Sequence, residues 1–359
     1  VKIDSKIRLQ SIEIRNYKAL DHIKIDFSEP IMSDDPDVFL IGSKNGIGKT
    51  SILESICLLF IGLIVEKENL KNFYFNKSIN IPDIIISSGE EEASVEGEFI
   101  VEGELFRCNV SINRDGYISS KFFNSNIKLS KKIIKNKYLK KFTEEDIIEQ
   151  FFLTFSGLNR EPFIFEPLIY FNSYRKVQEG SLEFGSVFRD KYKRSKGNNR
   201  DPISSFKIEV LSLMMNKSGL FEDSSSKKAE FVLEKLNDLI ITYAGGYIDK
   251  LKPSEDNTID FRITPINPNK KSFSFDGLSS GQKEIISTLF LIWFYTYEKS
   301  RIILIDEPEL HLNSEWHRSF INSLFKIAPN NQYIISTHSE EIFASVKKDR
   351  RLLLIPDED

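Results

Sequence analysis

Four short runs in this sequence carry residue types and spacings suited to phosphate chemistry. The first is GSKNGIGKT, Gly42 to Thr50. Its end satisfies the phosphate-loop pattern G-x-x-x-x-G-K-[ST], with Ser43 at the position of the first glycine and Gly42 one residue earlier. Glycines let backbone N–H groups curl around phosphate oxygens, and a helix N-terminus adds positive potential. Lys49 would then hold the β- and γ-phosphates of ATP, and the Thr50 hydroxyl would bind Mg2+. The alternative is an ordinary glycine turn. The apolar run VFLI before the loop and the apolar stretch after Lys49 favour the phosphate reading, because they predict a buried strand feeding a buried helix.

The second run, IILIDEP from Ile302 to Pro308, predicts a buried strand that delivers two acids at its end. Asp306 is placed to reach Mg2+, and Glu307 to polarise an attacking water. Alone, the same letters would also suit a turn that opens a helix. The third run is LSSGQ, Leu278 to Gln282. A serine hydroxyl, a glycine N–H and a helix start can bind an anion, although a plain helix cap is the commoner use of such residues. The fourth, YIISTHS, sets His338 at the end of a predicted strand.

Order and spacing join these runs. Gly281 precedes Asp306 by 25 residues, room for one helix and one strand, and His338 follows Asp306 by 32. The set resembles the ABC-type ATPase superfamily, over about residues 1–125 and 255–359, with LSSGQ close to the usual signature LSGGQ. The N-terminal IEIRNYKAL and the wording DEPELHLN…STHS resemble the RecF/SMC/OLD branch, and within it the ATPase subunits of bacterial anti-phage systems of the Septu and retron-associated kinds.

That resemblance implies an α/β fold: a two-lobed ABC-ATPase head, with a P-loop parallel sheet, an antiparallel β subdomain and a helical insertion. The lobes are expected at 1–125 and 255–359, with the insertion or lid at 126–254. It implies that Ser43, Lys44, Asn45, Gly46, Ile47, Gly48, Lys49, Thr50 and Ser51 surround the nucleotide. Ser279, Ser280, Gly281 and Gln282 would cover the nucleotide of a second copy, so the heads would pair head to tail in a dimer or higher oligomer. His338 takes the place of the switch histidine, and Glu309 to Asn313 that of the loop crossing the dimer interface. Asn16 and Lys18 are expected near the nucleotide, and Gln178 as the glutamine that reaches the metal with Thr50 and Asp306. OLD-type enzymes carry a nuclease domain beyond the head. Only 21 residues follow His338 here, so a nuclease effector is expected on another chain or on a further part of the protein.

The elements that must position these residues are legible as patterns. Ile7, Leu9, Ile12 and Ile14, then Ile23, Ile25 and Phe27, alternate as strands do. From Ala93 to Ile118 the alternation continues, with turn signals at Glu102-Gly103 and Asp115-Gly116. Ile147, Ile148, Phe151, Phe152 and Phe155 form one helical face, and further helices are expected over 203–215 and 227–243. No heptad pattern is sustained, which excludes a coiled-coil arm.

Composition sets the remaining bounds. Apolar residues make up 40% and charged residues 28% of 359 residues, enough for a real core, and the net charge of −4 argues against a wholly basic nucleic-acid coat. Two cysteines and four histidines show no zinc spacing, so a reducing cytoplasmic setting is expected. The apolar run Ile56 to Val65 is half of what a membrane helix needs, which predicts no membrane partner and disfavours a transporter cassette. Two basic segments, Lys121–Phe142 with eight lysines and Arg189–Arg200 with six basic residues, could touch a DNA or RNA backbone. They would serve equally as solvated faces or meet an acidic protein. The leading expectation is a defence-complex ATPase with a separate effector. A RecF-like repair clamp that grips DNA is the alternative.

Overall fold

In a computed structural model the described residues are 7–27, 29–30, 35–43, 48–63, 65, 67–70, 80–101, 103–123, 144–155, 161–165, 167–175, 177, 182–183, 205–217, 226–253 and 258–355. Along the chain come β1 (Ile7–Tyr17), β2 (Leu20–Asp26), β3 (Val38–Ser43), α1 (Lys49–Gly62), β4 (Lys67–Asn69), α2 (Ile81–Ile85), β5 (Glu92–Val101), β6 (Glu104–Asn113), β7 (Tyr117–Phe122), α3 (Glu144–Phe155), β8 (Phe163–Phe165) and β9 (Leu168–Phe171). Then follow β10 (Leu182–Glu183), α4 (Ser205–Lys217), α5 (Ser226–Ala244), β11 (Gly246–Pro253), β12 (Thr258–Pro265), β13 (Phe273–Ser274) and α6 (Ser280–Thr296). The last are β14 (Ile302–Asp306), α7 (Ser314–Ile327), β15 (Gln332–Thr337), α8 (Glu340–Ala344) and β16 (Arg351–Leu354).

These elements form two compact units. The first, Val1–Arg175 with Thr296–Leu310 and Ser314–Asp359, is built on two sheets. One has the order β2-β1-β5-β6-β7-β4, antiparallel throughout. Along β5 buried and partly exposed residues alternate, the mark of a sheet with one wet face. The turn before β7 uses Gly116 at φ 86°, a left-handed conformation that favours glycine. The other sheet has the order β16-β3-β15-β14-β9-β8, parallel except for β8 at its edge. Strands β14 and β15 are buried at every residue, as parallel strands covered on both faces must be.

Helix α1 is apolar nearly all round, and a helix of that kind has to be enclosed. It packs against strands of both sheets, and every one of its residues except Thr50 is buried. The fit to the antiparallel sheet is tight: a Cβ at Gly97 would come within 2.2 Å of Leu59, and one at Gly62 within 2.0 Å of Val110. Each Leu, Ile or Phe enclosed here contributes about 1.5–3 kcal/mol.

The second unit is Lys176–Tyr295 with His311–Asn313. Its small antiparallel sheet has the order β10-β12-β11, with β13 also paired to β12. Helices α4, α5 and α6 complete it. Phe206 of α4 packs on Phe275 and Phe290, and buried Lys207 pairs with Asp276 at 2.7 Å, just ahead of the LSSGQ run.

Candidate functional site

In a parallel sheet all carboxyl ends lie along one edge, where loops and helix N-termini can meet a ligand. Here β15 pairs with β3 on one side and β14 on the other. The end of β3, the acids at the end of β14 and the histidine after β15 therefore lie side by side.

Lys49 is the buried centre of this edge. Its ammonium lies 2.6 Å from His338 Nε2, donates to Ser43 Oγ at 3.1 Å, and lies 3.9 Å from Glu307 Oε1. Ser43, the departure from the phosphate-loop pattern, thus supplies an acceptor for the lysine. Burial lowers the Lys49 pKa, against the pull of Glu307, Asp306 and Glu309. Gly48 is required twice over: its φ is +90°, and a Cβ there would lie 2.5 Å from Leu20. It starts the 14-residue helix α1 with no side-chain cap, which leaves the helix N-terminus to a ligand. Lys44, Asn45, Gly46 and Ile47 lie outside the described residues, and Ser51 is buried in the first turn of α1.

Asp306 is fully buried at the end of β14. Thr50 Oγ1 donates to its Oδ2 at 2.9 Å, and Ser336 Oγ donates to its Oδ1. Burial raises the Asp306 pKa, opposed by the hydrogen bonds from Ser336 and Thr50 and by Arg175. The Arg175 guanidinium donates to the Asp306 carbonyl at 2.7 Å and to the Asn172 carbonyl at 2.8 Å, tying the end of β9 to the end of β14. Ser336 stands in the YIISTHS run and Arg175 in no motif, and the use of both depends on which strands become neighbours. The adjacent hydroxyl and carboxylate oxygens of Thr50 and Asp306 are hard donors that suit Mg2+. Among the described residues no group of three or more His, Cys, Asp or Glu is arranged to hold a metal alone. Mg2+ needs none, since it takes one or two protein oxygens and fills its octahedron with phosphate and water.

Glu307 has φ 46°, a left-handed conformation rare outside glycine. The strain turns its carboxylate out of the strand, where Oε1 meets His338 Nε2 at 3.0 Å. Burial and the neighbouring Asp306 raise its pKa, while His338 and Lys49 act against them. Lys49, Glu307 and His338 so form a mutual triangle, with Thr50 and Asp306 beside it.

Asn16, near the end of β1, and Lys18, in the turn after it, go to different partners. Lys18, at φ 55°, forms an ion pair with Glu54, one turn beyond Thr50 on α1. The Asn16 amide instead bonds the Glu90 carboxylate and the Glu92 carbonyl at 3.2 and 3.3 Å. Burial pushes the Glu54 carboxyl up to about 7 from 4.5, against Lys18. A carboxyl raised on folding stabilises fully below its unfolded value, and that contribution is lost as pH rises through the folded one. Relative to Glu54→Gln, the protein should therefore lose on the order of 3 kcal/mol of stability between pH 4.5 and about pH 8. Denaturant melts of both proteins check this, and parallel pH curves would contradict it.

The LSSGQ run lies in the second unit. Ser279 Oγ accepts from Gln282 N at 3.2 Å while Gln282 Oε1 accepts from Ser279 N at 3.0 Å, a reciprocal capping box that opens α6. Gln282 Nε2 also donates to the Tyr243 carbonyl at 2.9 Å. Ser279 and Ser280 are exposed, and Gly281 follows in the first turn. Gln178 lies outside the described residues, as do Arg189–Arg200 and all of Lys121–Phe142 beyond Phe123. No helix among the described residues is long and apolar enough to cross a membrane.

Over 97% of its length the chain is 23% identical to the Retron Vc95 probable ATPase of Vibrio cholerae serotype O1 biovar El Tor, covering 73% of that protein. It is 22% identical over 92% of its length to Septu protein PtuA of Bacillus mycoides (strain KBAB4), of which it spans 38%. Among solved structures, the SmcHead bound to the C-winged helix domain of ScpA overlays 94% of this chain and 91% of its own, with a TM-score of 0.54 at 15% identity, a likeness of fold. Residues 8–343 match the AAA ATPase domain family, AAA_15, and the chain belongs to that family.

Proposed function

We propose that this chain binds Mg-ATP at the edge formed by β3, β14 and β15 and hydrolyses it to ADP and phosphate. The observation that carries this reading is the convergence of Lys49, Thr50, Asp306, Glu307 and His338 on three adjacent strand ends. Lys49 exchanges its contacts with His338 and Ser43 for phosphate oxygens. Thr50 and Asp306 hold Mg2+, which when bound neutralises charge on the β- and γ-phosphates. Glu307 orients a water and takes its proton as the oxygen bonds to the γ-phosphorus and the bond to the ADP oxygen breaks. His338 steadies the Glu307 carboxylate and donates toward the γ-phosphate.

The exposed Ser279 and Ser280 at the start of α6 are available to a second copy. In the proposed head-to-tail dimer they and Gly281 cap the γ-phosphate held by Lys49 of the partner, which makes ATP both substrate and bridge. The similarity to a retron ATPase and to a Septu protein supports a place in an anti-phage complex, where ATP turnover governs a separate effector. Phosphate release from ATP tests the reading. Turnover should need Mg2+ and fall at least roughly 100-fold in Asp306→Asn, which keeps the shape and removes the charge. Metal-independent turnover, or an unimpaired variant, would count against it.

A further inference from the structure

Three carboxylates leave the end of β14 in close succession: Asp306, Glu307 and Glu309. The proposed chemistry uses the first two. The left-handed turn at Glu307 followed by Pro308 reverses the chain, closed by Leu310 N donating to the Glu307 carbonyl at 3.2 Å. This brings Glu309 back toward the end of β15. Its Oε2 accepts from Thr337 Oγ1 at 2.9 Å, and its Oε1 accepts from the backbone N–H of His338. Thr337 Oγ1 in turn accepts from Ser339 N at 3.0 Å, and the Ser339 hydroxyl caps α8 by accepting from Ile342 N at 3.3 Å. One carboxylate therefore binds two consecutive residues of the turn that presents His338.

We infer that Glu309 is a positioning residue for His338, holding the main chain beneath the imidazole so that Nε2 points at Glu307 and Lys49. The inference rests on the hydrolytic reading above and gives that reading a residue it lacked. Glu309 touches none of the reacting groups through its own oxygens. Its effect passes through Thr337 and the His338 peptide, and a displacement of well under 1 Å there would take Nε2 out of hydrogen-bond range of Glu307. Glu309 also adds negative potential at Lys49 and Glu307. That second effect has to be separated from positioning.

Two variants separate them. Glu309→Gln keeps the volume but loses the charge and one acceptor, whereas Thr337→Val keeps the charge and loses the hydroxyl that bonds Glu309 and Ser339 N. Positioning predicts a lower kcat in both, by roughly tenfold or more for Glu309→Gln, with half-saturating ATP within about twofold of the parent. It also predicts that adding Glu309→Gln to His338→Ala costs far less than Glu309→Gln costs the parent, because the effect of the clamp on turnover passes mainly through His338. Losses that multiply in the double variant, or an unchanged kcat in Glu309→Gln, would overturn the inference. A second measurement needs no turnover. The chain has four histidines, so an imidazole 1H–15N spectrum is readable residue by residue. In Glu309→Gln the His338 signals should move while those of His22, on the antiparallel sheet, stay. If His338 is unmoved, Glu309 does not position it. A parent protein that releases no phosphate would defeat the hydrolytic reading instead, and the spectrum would still decide the role of Glu309.

Discussion

Lys49→Ala should lower ATP affinity at least roughly 100-fold, about 3 kcal/mol, and abolish measurable turnover. The size follows from the surroundings of the ammonium. Glu307, Asp306 and Glu309 all act on Lys49 electrostatically. Without it, a triphosphate would have to approach three carboxylates with its nearest fixed cation removed. The helix dipole of α1 and Mg2+ remain, but neither supplies a charge-assisted donor at the β/γ oxygens. Calorimetric titration with ATP and Mg2+ measures the loss, and parent-like affinity would remove the phosphate-loop assignment.

Glu307→Gln should separate binding from chemistry. The amide has the shape of the carboxylate and can keep a hydrogen bond to His338, so ATP and Mg2+ affinity should stay within about threefold of the parent. Turnover should fall by roughly 100-fold or more, because the group that takes the proton of the attacking water is gone. The left-handed backbone at Glu307 exists whether the side chain is acid or amide, so the fold gives no reason for the variant to misplace it. Rapid-quench measurement of a single turnover reads the chemical step directly. A rate equal to the parent's would assign the proton to another group.

The parts of this molecule that could be read from its sequence share a physical cause: they are local. The alternation from Ala93 onward marks β5 and β6, and Asp115-Gly116 marks the turn to β7. The apolar run after Lys49 marks α1, and Ser279 with Gln282 spells a capping box over four residues. Strand order is not local. Strands β14 and β15 are buried at every residue, so their periodicity tells nothing of their neighbours. That is why the runs that contain Ser336 and Glu309 do not reveal that Ser336 bonds Asp306 or that Glu309 bonds the His338 peptide, and why Arg175 on the Asp306 carbonyl carries no signal. The Lys18–Glu54 pair is hidden for the same reason, since it depends on how the β1–β2 turn meets α1.

The central claim is that ATP is hydrolysed at a site shared by two copies of this chain. Mixing two inactive variants tests it most directly. Ser279→Arg should still bind ATP through its own Lys49 but fail to close, because a guanidinium would fill the place of a phosphate oxygen. Lys49→Ala should fail to bind ATP but keep an intact LSSGQ run. In a mixed dimer one of the two sites pairs the Lys49 of the first variant with the Ser279 of the second. An equimolar mixture should thus regain turnover, up to roughly a quarter of the parent's sites, while each variant alone stays inactive. Full turnover by Ser279→Arg alone would contradict the account, since each head would then work by itself.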